Sequence, residues 1–92
     1  MGRRKAKSVK DLHRHFAKRW YQRYPDIDMP NPDWVREQIC KQSDNAEHLW
    51  TESKTRSHWE IRVSDTWVRV VYNKSLGSVV TVLPPLALRE VN

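Results

Sequence analysis

Four histidines, a basic first quarter and a hydroxyl set among valines are the parts of this 92-residue chain that could do chemistry. His13 and His15 fall within residues 1–23, which hold nine Lys or Arg against one acid, Asp11, while the rest of the chain holds eight bases against ten acids. This asymmetry says more than the net charge of +6. A cation beside a phosphate releases a condensed counterion, so a concentrated basic segment suits nucleic acid; an anionic membrane surface or an acidic protein would answer it too. On a helix, His15, Arg19 and Arg23 stand at i, i+4 and i+8 and form one ridge of an imidazole and two guanidiniums, with Arg14 and Lys18 adding charge nearby. His13 lies about 60° from Phe16 on the helix wheel, at the rim of the apolar stripe. An unperturbed imidazole titrates near pH ~6.5 and can give or take a proton near neutrality.

A second set of reactive side chains sits in the strand-like half. His58 to Val63 alternates, placing Trp59, Ile61 and Val63 on one face and His58, Glu60 and Arg62 on the other. A two-residue turn at Ser64 and Asp65 pairs Val63 with Thr66, Ile61 with Val68, Trp59 with Val70 and Glu60 with Arg69. Treating "NKSLG" as a five-residue loop pairs Tyr72 with Ser78, Val70 with Val80 and Arg69 with Thr81. The expectation is a transverse polar row, Glu60, Arg69 and Thr81, on the face away from the helices, flanked by His58, Arg62 and Trp67. The row combines an acid or base (Glu60, His58), guanidiniums (Arg62, Arg69), a hydroxyl (Thr81) and a stacking aromatic (Trp67). Such a set can hold a phosphate and support a nucleobase. The plainer reading is a solvent face carrying one Glu60–Arg69 ion pair worth ~0.2 to 1 kcal/mol.

These side chains need a scaffold, and the patterning supplies an α+β one. Residues 1–7 read as a flexible basic arm, and 8–92 as one domain. Ser8 caps a helix over about 8–24, whose Val9, Leu12, Phe16 and Trp20 form an apolar stripe ended by Pro25. "PDIDMPNPD" is a loop, and Asn31 or Pro32 opens a second helix over about 32–41 through Trp34, Val35 and Ile39. Polar residues 43–57 hold one short edge strand in which Leu49 and Trp50 look buried. Strands follow at about 57–63, 66–72 and 78–84, with Val80 and Val82 turned to the core and Pro84 and Pro85 ending the pairing. The architecture is two N-terminal helices packed on one face of a three- to four-stranded antiparallel sheet.

Composition excludes several classes. One cysteine, Cys40, forms no intramolecular disulfide, which points to a reducing, cytoplasmic setting. The longest apolar run is far short of the ~20 residues of a membrane helix, and no export signal is expected. Two glycines allow no Gly-rich phosphate loop, and no His/Cys grouping suggests a metal.

The order helix, helix, antiparallel strands ending in "VRVVYNKSLGSVVTVLPP" resembles the BECR group of small ribonucleases, which includes barnase, colicin D and RelE. It is also similar to short toxin domains whose helix carries His, then Arg four and eight residues later, before a terminal strand of Val-Thr-Val type; here those positions are His15, Arg19, Arg23 and Thr81. The resemblance spans residues 10–85. It implies metal-independent, cofactor-free cleavage of RNA, tRNA or mRNA, through the ribose 2′-OH to a 2′,3′-cyclic phosphate. A helical histidine, His15 or His13, would be general acid or base with Glu60 or His58 as counterpart, Arg69 and Arg62 would stabilise the phosphorane, and Thr81 would donate to it. It further implies an acidic antitoxin or immunity protein, and action in the cytoplasm of the producing cell or of a cell into which the domain is delivered. The alternative is a non-catalytic nucleic-acid- or protein-binding accessory module.

Overall fold

The computed structural model describes residues 9–84; the basic arm, the Ser8 cap and Pro85 lie outside the described residues. In chain order the elements are α1 (Val9–Arg23), α2 (Pro32–Lys41), β1 (Ala46–Thr51), β2 (Arg56–Val63), β3 (Thr66–Asn73) and β4 (Ser78–Leu83). The strands form a four-stranded antiparallel sheet in the order β1-β2-β3-β4, so β1 and β4 are its edges. The polar segment before β2 thus holds a full six-residue strand.

Local chemistry sets the boundaries. Asp11 lies in the first turn of α1 and Arg23 in its last, each at the end of the helix dipole that favours its charge. Asn31 caps α2 by accepting the Asp33 N–H at 2.8 Å, and Pro32 fills the first helical position, where a missing N–H costs nothing. The helix ends at Gln42, whose φ of 51° is left-handed. Ser64 and Asp65 both have positive φ, 50° and 63°. Two such residues match the twist of the strands they join, and the β2–β3 pairing follows as expected, from Val63 with Thr66 through Glu60 with Arg69 to Trp59 with Val70.

Helix α1 lays Phe16 and Trp20 on the sheet, Tyr24 follows just past its end, and α2 adds Val35 and Ile39. Beneath them lie Trp59, Ile61, Val68 and Val70. Each fully buried aliphatic or aromatic side chain stabilises the fold by roughly 1.5–3 kcal/mol. The buried Trp20 indole N–H is satisfied by the Ile27 carbonyl at 2.7 Å. Among the described residues no helix is long and apolar enough to cross a membrane.

Strand β4 departs from the expected register. Asn73 pairs with Ser78 and Tyr72 with Val79, after which the register shifts, so that Val71 faces Thr81, Val70 faces Val82 and Arg69 faces Leu83. Val80 is the extra residue of a β-bulge, and a bulge reverses the in-and-out alternation of one strand locally. Val79 and Val82 therefore fill the helix-covered core, while Val80 joins a second cluster with Leu12, Val71 and Leu83. The expected pairs of Val80 with Val70 and Thr81 with Arg69 do not form. The connecting loop is also one residue shorter than expected, because β3 runs on through Asn73 and the turn closes on Gly77 at φ +63°.

Candidate active site

Two adjoining groups occupy the sheet face that the main core leaves open. The first joins α1 to β4. Helix α1 packs chiefly on this edge strand, and Leu12 reaches past the edge to Val71, Val80 and Leu83. The ridge next to that stripe consequently overhangs the open face. His15, Arg19 and Arg23 line a cavity of about 460 Å³ together with Thr81 and Val80 of β4 and Arg56 and Asn73 from the far ends of β2 and β3. Helices on one face would be expected to keep a helical histidine from the other. The Val80 bulge and the edge position of α1 remove that obstacle. Three guanidiniums line the cavity and none of its lining residues is acidic, so this open, positively charged concavity suits an anion. Arg19 is oriented by its Nη1, which donates to Gln22 Oε1 at 2.9 Å.

Tyr24 fixes the other end of this seam. Its hydroxyl donates to the Leu83 carbonyl at 2.9 Å and lies 3.4 Å from the Arg69 N–H, bridging the last β3–β4 pair. Burial pushes the phenol up from its ordinary value against the opposing Arg69 N–H, and the Glu60 charge pushes it further.

The second group lies on the strands beside the cavity. The Trp50 and His58 rings stack with centroids 4.6 Å apart, and the Arg69 guanidinium lies 4.7 Å from the Trp50 ring centroid. His58 is buried, with Nε2 2.8 Å from Glu52 Oε1 and Nδ1 3.4 Å from Arg69 Nη2. A guanidinium can only donate, so Nδ1 accepts and Nε2–H donates to Glu52. That hydrogen bond holds the Glu52 carboxyl below the usual carboxylate range, with the Arg56 charge helping. Both nitrogens of His58 are thus occupied, and the ring orients Arg69. Glu60 is also buried, between Glu47 and Arg69 in the row that ends at Leu83. Arg69 Nε is buried and has no hydrogen-bond partner among the described residues.

Of the residues singled out from sequence, His15, Arg19, Arg23 and Thr81 meet at one cavity. The expected row of Glu60, Arg69 and Thr81 is instead Glu60, Arg69 and Leu83, with Thr81 one pair away beside Val71. His13 turns toward α2, its Nε2 3.7 Å from Asp33 Oδ1. Arg14 pairs with Asp11 at 3.8 Å, and Lys18 is exposed. Arg62 and Trp67 face one another at the β2–β3 turn, 5.9 Å from guanidinium to ring centroid.

Sequence reasoning passed over Arg56, Asn73 and Glu52 and misplaced Trp50. The first two were within reach, since Arg56 shares the parity of His58 and Glu60, and Asn73 that of Arg69. Trp50, expected to be buried, is 40% exposed because the register shift between His48 and Trp50 turns it onto the open face. Among the described residues no three His, Cys, Asp or Glu are grouped to hold a metal ion. No protein-family model, curated protein or solved structure matches the chain.

Proposed function

We propose that the protein is a small endoribonuclease that cleaves RNA through the ribose 2′-OH without a bound metal. The observation that carries this reading is the cavity where His15 of α1 and Thr81 of β4 meet Arg19, Arg23 and Arg56. His15 takes the proton from the 2′-OH, the 2′-oxygen attacks the adjacent phosphorus, and the bond to the 5′-oxygen breaks, that oxygen leaving with a proton from water. The products are a 2′,3′-cyclic phosphate and a 5′-OH. The three guanidiniums neutralise charge as the phosphorane forms, and Thr81 donates to a non-bridging oxygen. Arg69, held by Trp50 and His58, presents charge to the neighbouring backbone. Transfer RNA or messenger RNA is the substrate class. The uncompensated positive charge also gives an acidic antitoxin or immunity protein a surface to cover, which would restrain such an activity in a cytoplasm.

The test is incubation with total tRNA in chelator, followed by detection of cyclic-phosphate ends. His15→Ala and Thr81→Val should lower the rate by about 10²-fold or more, on the scale of general acid–base and transition-state donors. His13→Ala should leave the rate unchanged. Absence of cleavage, or cleavage indifferent to His15 and Thr81, removes the assignment. One observation favours a non-catalytic nucleic-acid-binding module instead: both nitrogens of His58 are engaged, which leaves His15 as the one imidazole lining the cavity. That reading expects salt-dependent binding with no turnover.

A further inference from the structure

A second cavity, of about 450 Å³, opens on the other side of the same end of the sheet. Its rim carries Lys54, Arg56 and Lys74, and no carboxylate lines it. The one acid in the β1–β2 loop, Glu52, is drawn onto the opposite face by His58 at 2.8 Å. The loop is therefore sorted: its acid faces Arg69, while Ser53, Lys54 and Thr55 face the cavity. The rim is also braced, because the Lys74 N–H donates to the Thr55 carbonyl at 2.7 Å and ties the β1–β2 loop to the β3–β4 loop. Two lysines from different hairpins thus flank one opening. Its wall includes the Trp59 ring, whose indole N–H donates to Ser57 Oγ at 2.8 Å. Cations, hydroxyls and an aromatic wall around a volume within the ~300–1,000 Å³ range of small-ligand sites suit a nucleotide. Arg56 lines this cavity and the one holding His15 and Thr81.

We propose that this cavity is a second nucleotide subsite, which holds a phosphate and base of the same single RNA strand that enters the first cavity, the strand passing over the hairpin end at Arg56. The proposal rests on the ribonuclease reading for the strand's identity. The subsite performs no chemistry and sets the length of RNA that binds well.

The probe is a fluorescent twelve-nucleotide 2′-O-methyl RNA, which the 2′-OH reaction cannot cleave, titrated against the whole chain and its Lys54→Ser/Lys74→Ser double variant between 50 and 300 mM salt. Removing the two lysines that hold the subsite's phosphate should lower the slope of log affinity against log salt by about 0.7, the value per neutralised phosphate for single strands. Cleavage of a three-nucleotide RNA by the double variant should match wild type. An unchanged slope and affinity overturns the subsite, whatever the cleavage assay gives. A changed slope in a protein that cleaves no RNA keeps the subsite and removes the catalytic reading. Titrations with inorganic phosphate and adenosine 5′-monophosphate, followed by the Trp59 indole resonance, separate the sources. Tight binding of the free nucleotide with no change in the RNA slope replaces the strand with a free nucleotide and overturns the proposal.

Discussion

Replacing Tyr24 with Phe removes one oxygen from the seam that joins α1 to the end of the β3–β4 ladder. The ring stays packed, since it is tilted against Trp20 with centroids 5.5 Å apart. What is lost is a well-formed hydrogen bond to the Leu83 carbonyl at 2.9 Å and a weaker one from the Arg69 N–H at 3.4 Å. A typical hydrogen bond contributes ~1 kcal/mol net, and a partly buried carbonyl left unpaired costs somewhat more, so the expected loss is about 1–2 kcal/mol. With a urea dependence of about 1 kcal/mol/M for a domain of this size, the midpoint should fall by roughly 1–2 M at unchanged slope. Hydrogen exchange at the Arg69 amide should quicken, while that of amides in the middle of β2 and β3 should slow or hasten only as global stability dictates. The pH dependence supplies a second check. Because burial raises the Tyr24 pKa above 10.0, the folded state favours the neutral phenol. Its contribution is complete below the unfolded value of 10.0 and is lost as the pH climbs through the raised folded value. The gap between wild type and variant should therefore narrow above pH ~10. An unshifted midpoint with an unchanged Arg69 amide, or a gap that stays constant to pH ~11, would refute the bridging role.

Two further outcomes follow from the open face and the last turn. Glu52→Gln should lower stability near neutral pH; since the His58 hydrogen bond depresses the Glu52 pKa from 4.5, the wild-type advantage is complete above that value and disappears as pH falls through the lowered one, which denaturation at stepwise lower pH will show. Gly77 sits at φ +63° with nothing within 4 Å of an added Cβ, so Gly77→Ala should cost only the left-handed backbone penalty of about 1 kcal/mol, and Gly77→Asn less, by thermal denaturation.

The hairpin of β2 and β3 was readable pair by pair because Ser64 and Asp65 form a short polar break between two runs in which Trp59, Ile61, Val68 and Val70 alternate without interruption. Asn31 and Pro32 likewise announced α2. Strand β4 was not readable to the same depth, because "SVVTVL" is apolar on both faces. With valine at 79, 80 and 82, period-two reasoning has no polar mark against which to detect an extra residue, and only the fit of Val79 and Val82 beneath Trp20 and of Val80 beside Leu12 selects the bulge. The ridge of His15, Arg19 and Arg23 was legible from i, i+4 spacing, and so was the hydroxyl of Thr81. Their meeting was not, since it depends on α1 lying along the edge strand. The cluster of Trp50, Glu52 and His58 required knowing the β1 register, which a polar strand without alternation does not reveal.

The seam between α1 and β4 also orders events in time. The cavity draws its histidine from residue 15 and its hydroxyl from residue 81, so its two halves lie at opposite ends of the described chain. Contacts of such sequence separation carry the largest loop-closure entropy and are made late as a chain assembles. A chain still emerging from the ribosome with β4 unmade lacks Thr81, the Val80 anchor for Leu12 and the Leu83 carbonyl for Tyr24. It holds the basic residues of α1 but not the β4 wall against which they form the cavity. Completion of the last strand is thus the step that brings Thr81 to His15, and a fragment cut short before it lacks one whole wall of the cavity.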